Sequence, residues 1–155
     1  MDSARLSGGI KVRNEKGFSL LELLIVVAII LIIATIAIPS LLRSRQSANE
    51  SGAVANMRNL NTAQVTYSST HNSLYADIPD LVTVGLLDDR YSNARFNGYK
   101  FTVALTPGNT NYTAFATGVS ANTSRYDFYS APDFVIRYTT AASRAPAGMN
   151  GAPVK

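Results

Sequence analysis

Apolar residues dominate the chain from Phe18 to Leu42 and then thin into a regular stripe. Between Leu23 and Ile38, twelve of sixteen positions are Leu, Ile or Val, and Thr35 carries the only hydroxyl. The run is long enough for the roughly 20 residues that an α-helix needs to cross a bilayer. At about −0.3 to −0.6 kcal/mol each, these branched residues favour insertion by roughly 4 to 7 kcal/mol. Past Ser40, Ala53, Met57, Leu60, Gln64 and Tyr67 fall at helical spacing, with Val54, Ala55 and Ala63 beside them. Glu50, Asn56, Arg58, Asn59 and Asn61 lie opposite. The pattern predicts an amphipathic half-helix over 43–72 that continues the apolar half, 18–42, and packs one stripe on a soluble domain. Pro39 breaks the local rule, because it has no amide hydrogen for the carbonyl of Thr35 and its ring crowds that turn. Gly52 is a milder weakness.

The period changes after residue 72. Residues 73–98 read as a variable connecting loop in which Asp77 and Pro79 open a short helix and Gly85 ends it. In Tyr99–Leu105, Tyr99, Phe101, Val103 and Leu105 alternate onto one face of a strand. Pro107-Gly108 marks a turn. Residues 111–117, 125–130 and 134–140 read as further strands, the last two separated by Ala131-Pro132-Asp133. Residues 99–140 thus form an antiparallel meander of about four strands, and the Pro/Gly-punctuated tail 141–155 reads as mobile. The fold class is α+β: a long N-terminal helical spine, its first half membrane-spanning and its second half packed on a C-terminal antiparallel sheet.

Charge and composition change the picture in a few places. The 155 residues suffice for one compact domain plus an extension. Arg5, Lys11, Arg13 and Lys16 against Asp2 and Glu15 leave residues 1–17 at +2, so the remainder of the +4 chain carries only +2. Basic residues ahead of the apolar run place the N-terminus in the cytoplasm and the bulk of the chain outside. No later Lys/Arg cluster is interleaved with aromatics, so nucleic-acid binding has no support. Without cysteine there are no disulfides and no thiolate metal sites. Asp77, Asp80, Asp88 and Asp89 are ligands of the type calcium takes, but their spacing is not that of an EF-hand, and solvated loop acids are the simpler reading. His71, the lone histidine, reads as a surface residue. No nucleophile–base pair, phosphate loop or metal motif emerges, so neither an enzyme nor a cofactor is expected.

One carboxylate, Glu22, stands near the head of the apolar run. Ionisable groups in hydrocarbon are costly and are retained for a function with a definable partner. A secretory signal peptide would have a shorter apolar core and a small-residue cleavage site, for which Thr35-Ile36-Ala37 is a poor match. A plain anchor leaves Glu22 as an unexplained cost.

The series Lys16-Gly17-Phe18, then Glu22 four residues on, then the apolar run and Pro39, resembles the class III signal of type IV pilins and of type II secretion pseudopilins. The resemblance covers roughly residues 11–60. It implies that 1–17 is a leader recognised through Lys16 and Gly17, and that a prepilin peptidase/methyltransferase cuts after Gly17 and N-methylates Phe18. Glycine suits that bond, since it resists helix by about 1 kcal/mol and has no side chain to obstruct a cleft. It further implies that Glu22 pairs with the new Phe18 amine of a neighbouring subunit. In a low dielectric a satisfied pair is tolerable and an orphan charge is not, so the pair sets the register of assembly. Pro39 becomes a weak point where the helix melts during packing. The implied partners are identical and minor pilin-like subunits, an inner-membrane assembly platform with its ATPase motor, and the membrane itself.

The precursor is then expected in a bacterial inner membrane with its domain periplasmic or external, and later in a surface pilus or a periplasmic pseudopilus. Three functions stay open: a structural subunit of a type IV pilus-like filament, a pseudopilin in the type II secretion piston, and a monomeric membrane-tethered binding module.

Overall fold

Helix α1 runs over Leu20–Thr70, 51 residues with Pro39 inside it. A computed structural model of the chain describes residues 17–92, 95–139 and 151–154. Residues 1–16 of the leader, 93–94, and 140–150 and 155 of the tail lie outside the described residues. Contacts divide the chain into a unit ending at Ile38 and a unit beginning at Pro39.

In the first unit no described side chain is buried, and the large apolar residues from Leu20 to Ile38 all stand open. The helix is long and apolar enough to cross a membrane. Its one mid-run hydroxyl is satisfied locally: Thr35 Oγ1 donates to the Ile32 carbonyl at 2.7 Å. Hydrocarbon offers no other partner, so a bond inside the helix is what such surroundings demand.

The second unit contains the rest of α1, then α2 (Ile78–Thr83), a 3-10 turn at Asp89–Tyr91, and five strands. These are β1 (Tyr99–Leu105), β2 (Tyr112–Gly118), β3 (Asp127–Ser130), β4 (Arg137–Thr139) and β5 (Ala152–Pro153). Every neighbouring pair is antiparallel, in the order β1-β2-β3-β4-β5. The α+β architecture of the sequence reading is present.

Its core is one apolar cluster in which Ala53, Met57, Leu60 and Ala63 of α1 join Tyr99, Phe101, Tyr112 and Phe128 of the sheet. On β2 the inward positions between them are Ala114 and Ala116, both fully buried. Small residues there leave room for the larger side chains around them. Gln64 sits in this core with both amide atoms used, Nε2 donating to the Ala76 carbonyl at 2.6 Å and Oε1 accepting from Ala76 N at 3.1 Å. Helix α2 begins as its residues require: Asp77 is the N-cap, its carboxylate accepts from Asp80 N at 3.0 Å, and Pro79 occupies the first turn. Gly85 follows at φ 75, a left-handed value that stops the helix.

Three expectations are corrected. The tail is not wholly mobile, because Ala152–Pro153 adds a fifth strand through Arg137↔Pro153 and Tyr138↔Ala152. Gly151 N donates to the Tyr129 hydroxyl and Val154 N to the Ile136 carbonyl. This pairing covers the edge of β4, which would otherwise present unpaired backbone groups. A side chain at Gly151 would stand 2.8 Å from the Tyr138 carbonyl, so only glycine fits this approach. Second, Glu50, Asn56 and Asn61 are buried rather than on a solvated face, because each meets a polar partner from later in the chain. Third, Ala55 is exposed, outside the stripe predicted for it.

Gly52 provides a stability test. A Cβ there would find its nearest neighbour, Asn97 Nδ2, at 3.5 Å, an ordinary contact. Gly52→Ala should therefore stabilise the domain by roughly 0.5–1 kcal/mol, the helix-interior penalty of glycine. A thermal melt in detergent would register a higher Tm; a lower one would mean that Asn97 cannot accommodate the methyl.

Candidate functional site

Gly17, Phe18 and Ser19 precede α1, whose first backbone bond runs from Leu23 N to the Ser19 carbonyl at 3.1 Å. The Gly17–Phe18 bond thus lies in non-helical, accessible chain, the condition a peptidase cleft requires. A Cβ built on Gly17 meets nothing within 4 Å. Packing among the described residues therefore does not require glycine there. Phe18 is 78% exposed.

Glu22 sits in the first turn of α1, where a carboxylate interacts favourably with the helix dipole. It is exposed, and it makes no ion pair among the described residues. Around it Leu21, Leu23, Leu24 and Ile25 are all open. A carboxylate in a largely apolar surface, with its counter-charge not supplied within the described residues, is the central chemical feature of this segment. Pro39 lies inside α1, which is assigned as helix through it. Lys16 lies outside the described residues, so the structure brings together Gly17, Phe18 and Glu22 only as consecutive parts of one segment.

In the second unit, α1 carries a polar clamp that periodicity did not reveal. Gln46 Nε2 donates to the Ala121 carbonyl at 2.7 Å, and Asn49 Nδ2 to the Thr123 carbonyl at 2.8 Å. Glu50 accepts from Arg125 N at 2.8 Å and from its guanidinium through both carboxylate oxygens. The Glu50 carboxylate holds the Arg125 pKa above its ordinary value through that hydrogen bond and its charge. About three turns further along, Asn61 Nδ2 donates to Ser130 Oγ while its Oδ1 accepts from the Tyr112 hydroxyl. Burial pushes the Tyr112 phenol well above its ordinary pKa. No local signal could have found these residues, since each partner lies 51 to 75 positions away.

The loop acids have local duties. Asp77 caps α2, and Asp88 caps the 3-10 turn by accepting from Arg90 N at 2.9 Å. Among the described residues no group of three or more His, Asp or Glu side chains converges on a metal position. His71 is exposed and stacks on Tyr67 with ring centroids 3.8 Å apart.

Residues 12–38 match the family described as the prokaryotic N-terminal methylation motif. That match contains Gly17, Phe18 and Glu22. The type IV wide pilus major component PilA4 of Thermus thermophilus is 42% identical over 74 residues, which is 48% of this chain and 56% of the relative. The chain carries the prepilin methylation motif and is similar to type IV pilins. The type IV major pilin protein PilA of Myxococcus xanthus is a second relative, 34% identical over 95 residues, or 61% of this chain and 40% of that pilin. The chain thus spans about half the length of the curated pilins it matches. The arrangement expected from the resemblance, a long helix with an exposed apolar first half and an antiparallel sheet in the second unit, is present.

Proposed function

We propose that this chain is the structural subunit of a type IV pilus-like filament, and that it has no enzymatic role. A prepilin peptidase cuts after Gly17, reading Lys16 and Gly17, and methylates Phe18. The membrane holds the precursor through α1 with the domain on the far side, and an assembly platform driven by an ATPase transfers it into the polymer. The observation that carries this reading is Glu22: an exposed carboxylate, one turn into an apolar helix, with no ion pair among the described residues, which the new Phe18 amine of a neighbour would neutralise. An anchor for a monomeric module needs no such charge. Pro39 offers the local weakness where α1 can unwind as subunits pack.

The pilus reading is preferred to the secretion piston because both relatives bear pilus names. Negative-stain microscopy of the producing bacterium should show surface filaments that vanish on deletion of the gene. Filaments absent from the surface, with a secreted protein retained in the periplasm, would move the assignment to the pseudopilus. Processing has its own check. The N-terminal peptide of the purified protein should begin at Phe18 and be one methyl group heavier than its sequence. An N-terminus upstream of Phe18, or a cut after Ala37, would remove the processing scheme.

A further inference from the structure

Phe134 is the most strained bulky residue of the second unit. Its φ is 60, a left-handed value, and it is 41% exposed. That backbone region is unfavourable for any residue with a Cβ and uncommon for an aromatic. The surroundings hold it there. Phe134 N donates to the Ala131 carbonyl at 2.8 Å, and the Phe134 carbonyl accepts from Asn61 Nδ2 at 3.3 Å. Asp133 accepts from Val135 N and pairs with Arg137. Val135 beside it is 37% exposed. Strain that the neighbouring structure over-determines clusters at functional positions, and here it presents two apolar side chains to solvent.

The same unit contains a groove of about 350 Å³ between α1 and the sheet, lined among others by Ser51, Val54, Arg58, Tyr126, Phe128 and Tyr138. Three aromatic rings and two valines, Val54 and Val154, form its apolar walls, and Glu50, already held by Arg125, also lines it. Arg58, on its rim, makes no ion pair among the described residues. Asp133, next to the protruding pair, keeps 33% of its side chain exposed.

We propose that Phe134 and Val135 of one copy seat in this groove on a second copy, with Arg58 facing Asp133. The proposal rests on the filament reading above. Two side chains bury far less than the roughly 1,200 Å² of a stable interface. The contact therefore suits a partner already held by another surface, and the uncovered apolar half of α1 offers such a surface on a second copy. Protrusion and groove are different patches of one surface, so the contact is heterologous. Contacts of that kind propagate into open-ended polymers instead of closing a symmetric dimer.

The chain has no native cysteine, which makes the test direct. Ser51→Cys and Val135→Cys, introduced together in the full chain, leave Phe134 in place. Mild oxidation of assembled material should give a ladder of disulfide-linked oligomers on non-reducing gels, and neither single variant should. Phe134→Asn is the companion variant, since asparagine tolerates the left-handed backbone but removes the ring. It should melt within a few degrees of the unaltered chain yet yield about tenfold less polymer, the scale of losing one buried aromatic contact. Polymer of the double variant without a ladder, or undiminished polymer from Phe134→Asn, overturns the seat and leaves the filament reading standing. No polymer from the unaltered chain overturns the filament reading and the seat with it.

Discussion

Glu22→Ala is expected to leave cleavage at Gly17 and methylation of Phe18 unchanged while reducing recoverable filament by about a hundredfold or more. On the proposed pairing, removing the carboxylate would strand a neighbour's Phe18 ammonium in apolar packing. Breaking one half of such a pair costs about 3 kcal/mol or more, and each 1.4 kcal/mol is a factor of ten. The loss cannot be blamed on poor anchoring. An acid inside a membrane helix opposes insertion, so the alanine variant should partition into the membrane at least as well as the parent. Glu22→Asp keeps the charge but shortens its reach by one methylene, and should fall between the two. Immunoblots of membrane and sheared-filament fractions, with the mass of the N-terminal peptide, measure all three quantities. Abundant normal filaments from the alanine variant would remove Glu22 from the assembly mechanism.

The second large effect lies in the clamp. Glu50→Ala should destabilise the domain by about 2 kcal/mol, because it leaves the Arg125 amide and guanidinium without their buried acceptor. The upper range for a broken buried pair does not apply, since the Arg125 side chain is 46% exposed and can recover hydration. For a unit of this size the loss corresponds to a fall in Tm of roughly 10 °C. Glu50→Gln retains the side chain's volume and a neutral acceptor, and should lose about half as much. Melts followed by near-ultraviolet circular dichroism test the pair; an unchanged midpoint for Glu50→Ala would show that water replaces the carboxylate without cost.

Much of this architecture was legible because local chemistry decided it. The alternation of Tyr99, Phe101, Val103 and Leu105 located β1, and Asp77 with Pro79 and Gly85 bracketed α2. Glu22 drew attention for the same reason, since a carboxylate in an apolar run violates a local rule and demands an account, and the motif match over residues 12–38 contains it together with Gly17 and Phe18. The burial of Glu50, Asn56 and Asn61 was not legible. Helical periodicity places polar residues outward by default, and the default fails when a distant segment supplies the partner. Strand β5 was missed because two residues in a Pro/Gly-punctuated tail show no alternation, and its pairing depends on β4 alone. Phe134 was read as the start of a strand, whereas β4 begins at Arg137 and Phe134 occupies a left-handed turn.

The clamp also bears on the order in which the molecule is made. Asn49 and Glu50 find their acceptors and donors 74 and 75 positions later, and Asn61 finds Ser130 after 69. Synthesis therefore delivers a helix whose inward polar groups must stay hydrated until the final third of the polypeptide has emerged. Closing loops of that length is entropically expensive and slow compared with helix formation. Nascent chains truncated before Arg125 should consequently remain protease-sensitive across Gln46–Asn61, because the partners that lock this stretch of helix have not yet been made.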